Sequence, residues 1–205
     1  VVIGLWVRKQ IQETPLFRLA QEKQNITKSP LKEVFKTSWK QIIQATFICS
    51  VFYTLFFTLS TWSLSFATTN LGFSNKEFLL ILMGTIIIFG IMILVSSYWA
   101  DIWGRKNIMI YSSLAIVIYA FIFPFFLQGQ HNLVGILGFL CLGFFIMGII
   151  YGPIGALLPE LFSTKIRYSG AGIAYNLASI LGAAFAPTIS TWLVANWGIH
   201  WVGIY

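Results

Sequence analysis

Ala100-Asp101-Ile102-Trp103-Gly104-Arg105-Lys106 separates two long apolar runs, one closing near Trp99 and the next opening near Ile108. Charge is scarce around it: between Lys40 and Glu160 the only other charged side chains are Lys76 and Glu77. A charge at the centre of a membrane-spanning helix costs about 2.5–3.5 kcal/mol on insertion scales, so this turn must lie outside the hydrocarbon. So short a connection makes the flanking helices antiparallel neighbours. Gly104 permits the reversal, because glycine reaches backbone angles closed to other residues. Asp101 and the Arg105-Lys106 pair give the turn opposite charges for an ion-pair network at a helix end.

Composition assigns the class. The chain is 58% hydrophobic and 9% charged, with mean hydropathy +0.81. Soluble domains carry about 25% charged residues, so this is an integral membrane protein built from helices. The net charge of +7 does not point to nucleic acid, because the basic residues sit in short loops between apolar runs. Cys49 and Cys141 fall inside apolar runs and read as small buried side chains. His131 and His200 lie in loops far from any cysteine pair, so no metal-ligand spacing exists and no cofactor is expected.

Val1 to Val7 reads as the tail of a helix leaving the membrane, too short by itself for the roughly 20 residues of a span. The same holds for Trp201 to Tyr205, so a segment of a longer protein is expected. A polar stretch follows Arg8-Lys9. Thr14-Pro15 breaks a helix there, and Ser29-Pro30 reads as an N-cap with proline in the first helical position. Leu31, Val34, Phe35, Trp39 and Ile42 recur at helical spacing beside Lys28, Lys32, Lys36 and Lys40, as in an amphipathic helix lying in the headgroup zone. Five spans are expected at about 42–66, 78–99, 108–128, 133–158 and 168–195. Twelve of the thirteen basic residues fall in the three loops that alternate onto one side. The positive-inside rule places those loops in the cytoplasm.

The turn at 100–106 resembles the signature loop of the major facilitator superfamily, Gly-x-x-x-Asp-Arg-x-Gly-Arg-Arg/Lys, departing at Ser97 (Gly expected) and Ile102 (Arg expected). The third cytoplasmic turn, Pro159-Glu160-Leu161-Phe162-Ser163-Thr164-Lys165-Ile166-Arg167, carries a second charge pair. Arg167 opens a helix, where its charge opposes the dipole, so it wants a carboxylate, and Glu160 is the nearest in sequence. Together with Arg8-Lys9…Glu13-Thr14-Pro15-x-Phe17 and Arg167-Tyr168-Ser169-Gly170, these stretches look like the metabolite:proton symporter family. That family includes carriers of proline and betaine, 2-oxoglutarate, shikimate and citrate. The resemblance implies the C-terminal six-helix half of a twelve-helix fold: residues 1–7 ending helix 6, 8–41 the central cytoplasmic loop, 42–199 helices 7–11, and 200–205 starting helix 12. It also implies a gating network of Asp101, Gly104, Arg105, Lys106, Glu160 and Arg167, with the two arginines meeting at Glu160. The bilayer, a small-molecule substrate, protons and the absent N-terminal half are the partners it implies, and a bacterial inner membrane the location.

Helix faces suggest where a substrate could sit. Gly170, Ala174, Ala178, Gly182 and Ala186 recur every four residues, a stripe that lets backbones approach closely in lipid. Tyr175, Asn176 and Ser179 lie on the other side, where polar groups at that depth should face protein or water. The first span carries Thr46, Cys49, Ser50, Tyr53, Thr54, Thr58 and Thr61 on one broad face; serine and threonine can also satisfy themselves on the preceding turn. Gly148, Gly152, Pro153 and Gly155 around Tyr151 read as a flexible or broken stretch. Tyr53, Thr54, Thr58, Trp62, Tyr151, Tyr175 and Asn176 are therefore the candidate cavity residues. Secondary transport of a small polar metabolite (organic acid, amino acid or betaine) with protons is the expected activity, with an uncoupled facilitator or sugar-type porter as the alternative. No catalytic constellation supports a membrane enzyme, and no charged ring or carbonyl filter supports a channel.

Overall fold

Helices are the only open-chain way to cross a membrane, since every backbone amide must be satisfied within its own segment. The computed structural model describes Trp6 and residues 30–205, and among these residues every regular element is helical. The stretch carrying Arg8-Lys9 and Glu13-Thr14-Pro15 lies outside the described residues. A short helix α1 (Pro30–Thr37) precedes five spans: α2 (Trp39–Asn70), α3 (Asn75–Trp103), α4 (Arg105–Phe126), α5 (Leu133–Glu160) and α6 (Arg167–Trp197). A final short helix, α7, covers His200–Ile204. Most helix ends outrun the apolar windows expected from sequence by one to four residues, whereas α4 stops at Phe126, short of 128, and α5 starts at Leu133 as expected.

The amphipathic helix before the first span is shorter than its spacing suggests. Ser38, at φ −131° and ψ 26°, breaks it from α2. Its apolar set therefore divides: Val34 and Ile42 are buried, while Phe35 and Trp39 are exposed. Lys40 Nζ reaches over the Trp39 ring at 5.7 Å from its centroid.

α5 forms the centre of the bundle, with 56% of its apolar window buried against 33% or less for the other spans. It is one unbroken helix with Pro153 and Pro159 inside it, which corrects the expectation of a broken segment. Gly148 and Gly152 serve close approach instead. A Cβ at Gly148 would stand 2.5 Å from Met92 Cβ, and one at Gly152 would overlap Ser96 Oγ and lie 2.8 Å from the Ile93 carbonyl oxygen. In the space so cleared, Ser96 Oγ donates to the Gly148 carbonyl at 3.0 Å. Tyr119 on α4 is buried and donates to the Phe139 carbonyl at 2.9 Å, tying α4 to α5.

The irregular turns fall elsewhere, in the first and last spans. Thr58–Trp62 in α2 and Ile180–Ala184 in α6 are π-helical. Around the first, Ser60 Oγ bonds the Phe56 carbonyl at 2.6 Å and Ser63 Oγ bonds that of Leu59; such back-bonding competes with the regular ladder. After the second comes Pro187, which cannot donate to the preceding turn. The small-residue stripe of α6 is buried along its length: Gly170, Ala174, Ala178, Gly182 and Ala186. At Gly182 a Cβ would collide with that of Tyr53 and lie 2.8 Å from Thr54 N, so only glycine lets α2 and α6 approach this closely. Thr46 Oγ1 donates to the Ala174 carbonyl at 3.5 Å across the same seam.

Apolar side chains also cover the outside. Leu80, Met83, Ile87 and Leu94 on α3, and Leu114, Ile118, Phe121 and Phe125 on α4, are all exposed. A face this large and apolar is that of a bundle solvated by lipid. Trp99 and Trp103 stack at 5.8 Å at one end, and Trp192, Trp197 and Trp201 form a chain of rings at the other, the two interfacial belts of a span.

Candidate functional site

At the charged end, Gly104 takes φ +86° and ψ 135°, ending α3 and starting α4 in a single residue. Asn107 Nδ2 bonds the Trp103 carbonyl across it at 2.8 Å. The turn presents Arg105 to two carboxylates. Its Nη2 lies 3.9 Å from Asp101 Oδ1, four residues back on the same surface. Its Nη1 is hydrogen-bonded to Glu160 Oε1 at the end of α5. Glu160 therefore bridges to the 100–106 turn, fifty-five residues away in sequence.

Arg167 does not join that pair. No ion pair connects it to Glu160 among the described residues, and its Nε is buried without a hydrogen-bond partner there. The expected meeting of both arginines at Glu160 is corrected accordingly. The turn between them is anchored by Phe162 and Ile166, each 2% exposed, and the Phe162 ring fills the space that a side chain at position 170 would need. With that anchor Glu160 meets Arg105 and not the arginine nearer in sequence. Lys106 is exposed.

At mid-depth the candidate cavity residues divide into separate groups. Tyr53 of α2, Tyr151 of α5 and Tyr175 of α6 come together around Phe52. Phe52 lies 4.3 Å from Tyr53, 4.7 Å from Tyr151 and 6.1 Å from Tyr175, ring centre to ring centre. Tyr53 meets Tyr175 edge-on at 5.2 Å, and Phe89 of α3 adds a fifth ring 5.6 Å from Tyr151. The Tyr151 and Tyr175 hydroxyls are 3.3 Å apart. Phe52 is 5% exposed and backs the cluster, while the three tyrosines are half-buried. Asn176 is exposed, and its Nδ2 donates to the Gly172 carbonyl at 2.8 Å. That bond ties one of its two amide N–H groups to its own helix.

Thr54 and Thr58 open on a different surface, a mostly apolar groove of about 620 Å³ between α2, α4 and α7, where Tyr119 and Tyr205 also contribute. Trp62 lines no part of the aromatic cluster. It is 2% exposed, stacked on Phe66 at 5.1 Å and edge-on to Phe123, so it is a core residue. Phe52 and Phe89 have no signal in the sequence, being ordinary members of apolar runs. Spacing alone could have flagged Phe52 only through its place beside Tyr53.

These features define a polytopic helical membrane protein with an ion pair between the turn at 100–106 and the end of α5, and a cluster of tyrosines between its spans. The chain belongs to the Major Facilitator Superfamily, whose family model matches residues 1–180. It is 40% identical over 210 residues to the inner membrane metabolite transport protein YhjE of Escherichia coli, covering all of this chain and 48% of that protein. Over 206 residues it is 28% identical to the proline/betaine transporter of Escherichia coli, covering 95% of the chain and 40% of the relative. The shikimate transporter of Escherichia coli is likewise 28% identical over 218 residues. The chain thus spans about half the length of the curated relatives it matches. No solved structure matches it.

Proposed function

We propose that this chain is the C-terminal half of a secondary transporter in a bacterial inner membrane, carrying a small polar metabolite with protons by alternating access. The observation that carries this is the hydroxyl contact between Tyr151 and Tyr175, which joins two spanning helices in a half-buried, polar surface. Hydroxyls at that depth are expensive against lipid and belong on a water-filled path. The relatives' names, transporters of proline and betaine and of shikimate among them, support the same reading. The Arg105–Glu160 pair closes the cytoplasmic ends of α4 and α5, and its making and breaking would accompany the change of facing state.

Proton coupling draws on the half that precedes this one. Residues 41–75, 78–100, 107–159 and 168–205 contain no Asp, Glu, Lys or Arg, so these spans offer no mid-depth carboxylate. Glu77, Asp101 and Glu160 all sit at helix ends. The test is uptake by proteoliposomes holding the full-length protein, with and without an inward proton gradient, over a panel of zwitterions and organic acids. Saturable uptake that the gradient raises supports the proposal. Uptake indifferent to the gradient favours a facilitator, and no uptake of any compound refutes transport.

A further inference from the structure

We infer that the connection between α4 and α5 is a strap across the outer end of the bundle that tightens on protonation, with His131 as the group that takes the proton. The inference goes beyond the transport reading and does not depend on it. Two connections meet at the end opposite the basic turns, the end that the positive-inside rule puts outside. They are residues 71–74, between α2 and α3, and residues 127–132, between α4 and α5. The His131 backbone N–H donates to the Leu71 carbonyl at 2.8 Å. Its imidazole lies against the buried Phe73 ring, 4.4 Å centre to centre, and its Nε2 stands 4.0 Å from Glu77 Oε2. One residue thus joins the two connections through backbone, ring and charge. It does so at φ +52°, the one positive φ outside glycine among the described residues. A conformation of that kind persists only where surrounding contacts hold it.

The carboxylate is fixed before the imidazole meets it. Glu77 Oε2 accepts the Ser74 N–H at 2.8 Å, and Ser74 Oγ accepts the Glu77 N–H at 3.3 Å, a capping box that opens α3. The imidazole completes an ion pair only when protonated, and histidine ordinarily changes charge between about pH 5 and 8. Acid outside therefore adds an ion pair, and a cation against the Phe73 face, to a strap already tied by its backbone. The attraction is present in full below that range and is lost as pH rises through it. No neighbouring group takes either role. Lys76 makes no ion pair among the described residues, and the His200 ring faces Phe125 at 6.2 Å. What the strap holds is the outer segment of α2, Ser63–Asn70, which follows the π-helical turn at Thr58–Trp62 and ends against Leu71. Ser65, Phe66, Thr69 and Asn70 of that segment form one wall of a cleft of about 250 Å³ facing α6, so a tighter strap restrains that wall.

The test is hydrogen exchange of the purified full-length protein at pH 5.5 and 7.5, with intrinsic rates corrected for pH. Mass spectrometry follows peptides covering residues 63–74 and 127–133. An exposed ion pair shifts an equilibrium by about 1.5- to 5-fold, so both segments should be better protected by that factor at pH 5.5. His131→Asn should abolish the difference, since asparagine also tolerates a positive φ but carries no proton. Glu77→Gln, which keeps the capping box, should reduce it. Equal protection at both pH values in the parent, or a difference undiminished in either variant, would overturn the inference. A difference spread evenly over the middle of α3 and α5 would overturn it too, because it would report the stability of the whole bundle.

Discussion

Gly152→Ala adds one methyl group at a close contact between α3 and α5. The new carbon would overlap Ser96 Oγ, and it would also lie 2.8 Å from the Ile93 carbonyl oxygen and 2.9 Å from Ser97 N. Rotating Ser96 away removes only the first collision. The other two are with backbone, so α3 and α5 must separate. Overpacking of this kind costs about 1–3 kcal/mol. Alanine in place of glycine returns about 0.5–1 kcal/mol within a helix. Gly155→Ala isolates that second effect, since the same helix carries it and nothing lies within 4 Å of the added carbon. The difference between the two variants should therefore be about 1–3 kcal/mol, with Gly155→Ala neutral or stabilising. Unfolding of the full-length protein by sodium dodecyl sulfate, followed through tryptophan fluorescence, measures it. Equal midpoints for the two variants would refute the close approach of α3 and α5.

Ser96→Ala should cost about 0.6 kcal/mol and at most about 1.7, the range for one interhelical hydrogen bond in lipid, measured in the same unfolding assay. Gly104→Ala should destabilise by about 1–3 kcal/mol, because alanine at φ +86° is strained; Gly84→Ala, in open helix, should not. Glu160→Gln should lower transport more than substrate affinity, and exchanging the pair as Arg105→Glu with Glu160→Arg should recover part of the loss. In topology mapping, cysteines at Lys106 and Ser163 should label from the cytoplasm only and cysteines at Lys76 and Gln130 from outside only. A reversed pair would contradict the orientation set by the basic residues.

The number of spans was legible because the apolar runs are long and the charges that end them are few. Gly104 was legible for a related reason: a seven-residue turn between antiparallel helices leaves only glycine able to make the reversal. The stripe from Gly170 to Ala186 could be read because period-four small residues have one physical use in lipid. Other features depend on neighbours that periodicity does not reveal. Gly148 and Gly152 in α5, spaced as in a broken helix, prove to be contact points for α3, since glycine weakens a helix and permits close packing by the same missing Cβ. The hydroxyl face of α2 scatters once neighbours are present: Thr46 bonds to α6, Ser50 bonds back to Phe47, and Thr54 opens on the outer groove. Trp62 carries a polar atom, yet the stacking of Phe66 and Phe123 places it in the core. Of the two arginines expected at Glu160, Arg105 meets it and Arg167 does not: nearness in sequence favoured Arg167, but the turn anchored by the buried Phe162 and Ile166 separates them.

Alternating access makes the most direct demand on Asn176, the exposed polar residue beside the aromatic cluster. In a full-length protein with Cys49 and Cys141 replaced, a single cysteine at position 176 should react with a membrane-impermeant thiol reagent from either side of oriented vesicles. A transported substrate should slow both reactions. Reaction from one side only, or none from either, would show that this surface is not exposed to both compartments and would contradict the proposal that it forms part of a carrier's binding face.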